Sequence, residues 1–216
     1  MIWLILLVVA WGALAFGSPY AWAYWTLMAG CITAGAWGLV RGVPRVRGRV
    51  NVPILTGLLL VATAVGVQLV PMERQTLVRL SPATDEFLAQ YDVGYAFGIV
   101  NEARARLQES PSPPEHITHP LSINPEKTWL GLAFLGVFGF MLMGLAHGID
   151  GRDLRVFSPL LTALGVVLAM IAIVQKALWN GKVYGFWEPI NVGAGAFGPF
   201  INRNHFAGWM LLAVPL

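Results

Sequence analysis

Charge is what this sequence has least of. Only 12% of its 216 residues are charged, against about 25% in an ordinary soluble domain, which excludes a conventional water-facing surface. The net charge of +3 is too small to argue for a polyanion, so no nucleic-acid partner is expected. Cysteine is represented by Cys31 alone. Neither a disulfide framework nor a cysteine metal site is therefore available, and Cys31, set in an apolar run, reads as a small buried hydrophobe. Apolar residues are abundant, at 56%, and 9 tryptophans accompany them. Most of those tryptophans lie near the ends of apolar runs, where an amphipathic ring suits the membrane–water interface.

The apolar runs near residues 2–17, 20–40, 52–71, 128–147 and 158–179 are long enough, or nearly so, to cross about 30 Å of hydrocarbon as helices of roughly 20 residues. The fold class expected is all-α: a polytopic integral membrane protein with five complete transmembrane helices and the start of a sixth near Phe206. That last run is still apolar at Leu216, too short to span, so the chain is expected to be the N-terminal part of a longer protein and inactive alone. The first run has no basic segment before it and the next follows at once, which favours a retained helix over a secretory signal. Gly17-Ser18-Pro19 supplies a tight turn that makes the first two spans antiparallel.

Orientation follows from the arginines. Arg41, Arg45, Arg47 and Arg49 lie between spans two and three with no acid among them, a cytoplasmic signal under the positive-inside rule. Counting from there puts the N-terminus in the cytoplasm. Residues 72–127 and 180–205 then lie outside, and the 148–157 loop, with His147 at its edge, inside. The 72–127 segment carries eight acids against five bases, so nothing there opposes the assignment. The domains expected are residues 1–71 with spans one to three, an extracytoplasmic loop over 72–127, and residues 128–216.

The long outer loop is expected to fold. Ser81-Pro82 with Asp85 and Glu86 after it reads as a helix start. Phe87, Leu88, Tyr91 and Tyr95 recur at helical spacing, then Ile99, Val100, Ala103 and Leu107 share a face, with Glu102 and Arg106 at i,i+4. Gly94 and Gly98 are expected to interrupt or bend the pair, which would lie as amphipathic helices on the outer membrane boundary or cap the bundle. His116 and His119 are three residues apart, but Pro114 and Pro120 bracket them and no third ligand is visible. A solvated loop is expected there and no metal site.

The polar residues that matter most collect just before the sixth run. Gly193-Ala194-Gly195-Ala196-Phe197-Gly198 matches G-x-G-x-x-G, but the βαβ context a dinucleotide fingerprint requires is missing. Glycines still let backbone N–H groups approach an anion, and a helix N-terminus favours one. Asn204 is a candidate N-cap for a helix starting at His205, and Arg203 beside it could offer two parallel hydrogen bonds to a phosphate. The bland alternative is an interfacial arginine snorkelling to lipid phosphates. Lys176, Lys182, Trp179 and Trp187 read as interfacial anchors by the same logic, and Gln68 as a packing polar group.

The stretch Gly198-Pro199-Phe200-Ile201-Asn202-Arg203-Asn204-His205-Phe206-Ala207-Gly208 resembles the G-x-F-x-N-R-N-H-F-A-G signature of the O-antigen ligase and polymerase family of bacterial membrane glycosyltransferases. Val67-Gln68-Leu69-Val70-Pro71 with Leu80-Ser81-Pro82 is a softer match to that family's Q-L-x-P and L-S-P. The 72–127 segment is longer than that family's early loop. The resemblance implies a multi-pass enzyme of the bacterial inner membrane, taking a glycan from an undecaprenyl-diphosphate donor to a lipid A-core or glycan acceptor without cofactor or metal. It implies substrate-binding roles for Arg203, Asn202, Asn204, His205 and Gly198, with the general base beyond Leu216. Ligase and polymerase are not separated by these residues. A transporter or flippase for a lipid-linked substrate predicts charged or broken helices near the midplane, and no acidic residue lies within any run.

Overall fold

The computed structural model describes residues 1–41, 52–107, 117–189 and 195–213. Among these the chain is mostly helical, at 76%. The elements are α1 (Ile2–Leu14), α2 (Ala21–Arg41), α3 (Val52–Val67), β1 (Pro71–Glu73), α4 (Arg74–Leu80), α5 (Pro82–Tyr91), α6 (Val93–Leu107), β2 (Thr118–Pro120), α7 (Pro125–Gly148), α8 (Gly151–Ala177) and α9 (Arg203–Ala213). Among the described residues three helices, α2, α7 and α8, are long and apolar enough to cross a membrane, with 21, 24 and 27 residues; at 1.5 Å per residue they measure about 31, 36 and 40 Å. The chain therefore reads as a membrane protein. α1 and α3 are apolar but shorter. The orienting arginines Arg45, Arg47 and Arg49, together with His116, Gly193 and Ala194, lie outside the described residues. Arg41, the last residue of α2, stacks on Trp37 at 4.4 Å.

The chain divides into two units, and the division falls inside α7. In the unit of residues 1–50 and 137–216, α1 and α2 form the expected antiparallel pair. Phe16, Gly17 and Ser18 all take positive φ, so the chain reverses over three left-handed residues. Gly30 then lies beneath Val8, and Gly12 opposite Leu27. The packed side of α2 is made of Ala23, Met28, Cys31, Ala34, Gly35 and Gly38, the small-residue surface that membrane helices use where oil-like surroundings give no hydrophobic push. A Cβ on Gly38 or Gly144 would run into the facing backbone of α7 or α2. Ala13, Leu168 and Phe200 form the small core, with Leu164, Phe206 and Trp209 against it.

α8 starts at Gly151, two turns before the apolar run suggested, so the expected inner loop shrinks. The cause is local. Asp150 accepts hydrogen bonds from the Arg152 and Asp153 N–H groups (2.9 and 2.8 Å), and Asp153 accepts from Asp150 N–H (3.4 Å). This reciprocal cap starts the helix early. The same backbone hydrogen bonds hold the Asp150 carboxyl below its usual range.

The other unit, residues 51–136, holds the folded loop. Leu77, Leu88 and Tyr95 are its buried centre, with Met72, Ile99, Ile117 and Leu121 around them. α5 begins at Pro82 as Ser81-Pro82 indicates, but α4 before it was not foreseen. Gly94 and Gly98 both fall inside α6, contrary to the expected break at those glycines. The helices separate at Asp92 instead, whose side chain accepts from Tyr95 N–H (2.9 Å). Gly98 answers a packing need, since a Cβ there would press on Ile117 at 3.1 Å. His119 is not in a solvated loop. It is half-buried in β2, antiparallel to β1 with Met72 opposite, and its Nδ1 donates to the Pro120 carbonyl (2.7 Å). Among the described residues no group of His, Cys, Asp and Glu could hold a metal ion.

One polar lock fixes this unit. Arg74 donates through Nε and Nη2 to both oxygens of Asp85 (2.8 and 3.1 Å), and the Tyr95 hydroxyl donates to Asp85 Oδ1 (2.7 Å). The Arg74 hydrogen bond holds the Asp85 carboxyl below its ordinary value, helped by Tyr95. Burial, then the hydrogen bond to Asp85, pushes Tyr95 up to about 12. A depressed carboxylate contributes stability above its unfolded pKa, near 4, and loses it as pH falls through the folded value. A raised tyrosine contributes below about 10 and loses it as pH rises toward 12. Protection against hydrogen exchange across α4–α6, taken relative to the intrinsic rate at each pH, is therefore expected to be greatest between those limits and to fall at both ends. Asp85→Asn, which breaks the two-pronged pair, is expected to lower protection there by about 2 kcal/mol. Unchanged exchange in that variant would show the lock to be decorative.

Candidate functional site

The polar signature sits on a rigid mount. Phe197 and Phe200 exchange backbone hydrogen bonds of 3.0 and 3.3 Å around Gly198-Pro199. Gly198 has φ +58 and proline fixes the next φ near −65°, the dihedral signs of a tight II′ turn. A Cβ on Gly198 would lie 2.9 Å from Ala172 Cβ, so the turn is seated directly on α8. Phe206 packs edge-on against Phe197 at 4.9 Å and meets Phe200 at 6.1 Å. Phe200 and Phe206 of the signature, with Phe197 just before it, thus hold the turn to the start of α9. Gly198→Ala is expected to destabilise the turn by about 2 kcal/mol through strained φ and contact together. Adding Ala172→Gly should restore only part of the melting temperature, because it relieves the contact and not the φ; full restoration would assign the whole effect to packing.

α9 begins at Arg203, two residues before the position expected. Asn202, not Asn204, makes the cap: its Oδ1 accepts from Asn204 N–H (2.9 Å), and its carbonyl accepts from His205 N–H (3.0 Å). That correction matters chemically. With Asn202 as cap, Arg203, Asn204 and His205 become the exposed first turn of the helix, where the partial positive charge of the helix end is felt. Arg203 Cδ lies 3.9 Å from where a Cβ on Gly195 would stand, so the loop lies beside the arginine stem.

Gln175, a residue for which sequence reasoning made no case, holds the mount from below. It is buried in the last two turns of α8. Its Nε2 donates to the Gly198 carbonyl (2.8 Å), and its Oε1 accepts from Tyr184 N–H (2.8 Å). The available signal was a carboxamide inside an otherwise apolar run. Tyr184 in turn donates its hydroxyl to the Leu14 carbonyl (2.7 Å), and burial pushes it up to about 12. Trp187 stacks on Phe16 at 5.1 Å and donates Nε1–H to the Tyr20 hydroxyl (2.8 Å). It is a packing member of this aromatic cluster rather than a free interfacial anchor. Lys176, Lys182 and Trp179 are exposed. His147, at the end of α7, donates to the Met143 carbonyl (2.8 Å). The Gln68 carbonyl accepts from Ser122 N–H (3.0 Å).

The arrangement is that of a helical membrane protein presenting a capped helix start, one guanidinium and one imidazole on a turn tied to a spanning helix. No protein family, curated protein or solved structure matches this chain.

Proposed function

We propose that the chain is the N-terminal part of an O-antigen ligase-like glycosyltransferase of the bacterial inner membrane. In this reading α1 and α3, with their flanking turns, join α2, α7 and α8 as five complete spans, α9 starts a sixth, and the N-terminus is cytoplasmic. The amphipathic helices of the 72–127 segment then lie at the outer boundary. The observation that carries the reading is Arg203 exposed at the first residue of α9, on a turn anchored by Gln175.

The chemistry is nucleophilic displacement at a sugar carbon. An acceptor hydroxyl oxygen forms a bond to the anomeric carbon, and the bond from that carbon to the diphosphate oxygen breaks. The diphosphate departs with the electron pair and the acceptor proton passes to a base. Charge builds on the leaving diphosphate, so preorganised donors aimed at it accelerate the step. Arg203 supplies two of those donors, and Asn204, His205 and the α9 N-terminus add to them. Asn202 sets the helix start and Gly198 shapes the turn beneath. The general base is assigned to none of these residues. The test is transfer of glycan from an undecaprenyl-diphosphate-linked donor to lipid A-core or glycan acceptor by membranes expressing the full-length protein that this reading implies, since the chain alone is expected to be inactive. Absence of transfer to either class of acceptor would overturn the reading.

A further inference from the structure

A groove on α8 shares Gln175 with the mount of the Arg203 turn but does not include Arg203 itself. Met170, Ile171, Val174, Gln175 and Leu178 line a cavity of about 420 Å³ along the last part of the helix, and Lys182, Tyr184 and Gly185 close its end. Met170, Val174 and Leu178 are 56, 52 and 75% exposed, so the described residues leave this apolar wall largely uncovered. The closing turn is held in place. Asn180 donates to the Gly185 carbonyl (3.0 Å) and accepts from Lys182 N–H (3.1 Å), while Gln175 and Leu14 fix Tyr184. Among the described residues Lys182 enters no ion pair.

The chemistry of the groove runs from apolar to cationic along a helix long enough to span a membrane. Met170 to Leu178 covers about 12 Å of rise, close to the depth of one leaflet of a core about 30 Å thick. A chain lying there would end beside a free ammonium at the boundary, where basic residues attract anionic headgroups. Its volume also falls in the range of ligand sites.

We propose that this groove binds an anionic glycerophospholipid of the leaflet in which α8 ends, with one acyl chain along Met170–Leu178 and the phosphate on Lys182 Nζ. The site is independent of the glycosyltransfer reading. The experiment is native mass spectrometry of the whole chain released from nanodiscs of equal phosphatidylglycerol and phosphatidylcholine. One phosphatidylglycerol is expected to be retained preferentially. Lys182→Gln should lower that preference about fivefold, and Lys182→Arg should keep it. Val174→Trp should expel both lipids by filling the groove, and Leu211→Trp, on exposed α9 surface, should change nothing. Equal retention of both lipids, a preference unmoved by Lys182→Gln and Val174→Trp, or displacement of phosphatidylglycerol by equimolar undecaprenyl phosphate would overturn the proposal.

Discussion

Arg203→Lys is expected to reduce glycan transfer by about two orders of magnitude, the loss typical of removing one preorganised donor to a developing oxyanion. Lysine keeps the charge and nearly the length, so a residue serving only as an anchor to lipid phosphates would tolerate the change. A clamp on diphosphate would not. The planar guanidinium can give two parallel hydrogen bonds with fixed geometry, and an ammonium is a compact, strongly hydrated point charge. The position of the residue sharpens the distinction: Arg203 is the first residue of α9, directly after its Asn202 cap. If the contact forms chiefly in the transition state, kcat should fall with little change in KM. Full activity of Arg203→Lys in membranes with wild-type protein levels would remove the clamp assignment.

Gln175→Leu is expected to be the most damaging change that leaves every exposed polar residue of the signature in place. It orphans the Gly198 carbonyl and the Tyr184 N–H together. Each buried orphan costs about 1–3 kcal/mol in water-soluble proteins. Within membranes polar pairs average nearer 0.6 kcal/mol, because the unfolded chain also finds partners. The sum expected lies at about 2–4 kcal/mol, since Gln175 is buried and both of its amide atoms are engaged. The readouts are the thermal midpoint in detergent and protease cleavage within residues 178–202. Transfer should also slow, by up to about 100-fold, if the turn carrying Arg203 shifts by an ångström. Gln175→Glu separates the two bonds: it still accepts from Tyr184 N–H but sets an oxygen against the Gly198 carbonyl. Wild-type melting and cleavage in both variants would show that the carboxamide does not hold the turn.

The helices with long apolar runs were legible because hydrocarbon leaves the backbone no other way to satisfy its hydrogen bonds. Ser81-Pro82 gave away the start of α5, since proline is preorganised for a first helical position. The candidate site was legible as composition but not as geometry. Asn202 and Asn204 are chemically identical candidates for one cap, and only the placement of Phe200 and Phe206 against the core decides which of them precedes the first turn. Gly94 and Gly98 looked like breakers because glycine is a poor helix former, yet packing against Ile117 and the Asp92 cap override that weak preference.

The sequence by itself determined that this is a helical membrane protein, that its first two helices are antiparallel, and that its polar chemistry gathers before the last helix. Those properties depend on local composition and on the insolubility of bare backbone in lipid. Tertiary structure alone decided that Gln175 bridges Gly198 and Tyr184, that Arg74 and Tyr95 converge on Asp85, and that Trp187 belongs to an aromatic cluster with Phe16 and Tyr20. Each of these joins residues 9 to 171 positions apart, and no periodicity in a chain encodes which distant side chains its packing will bring into contact.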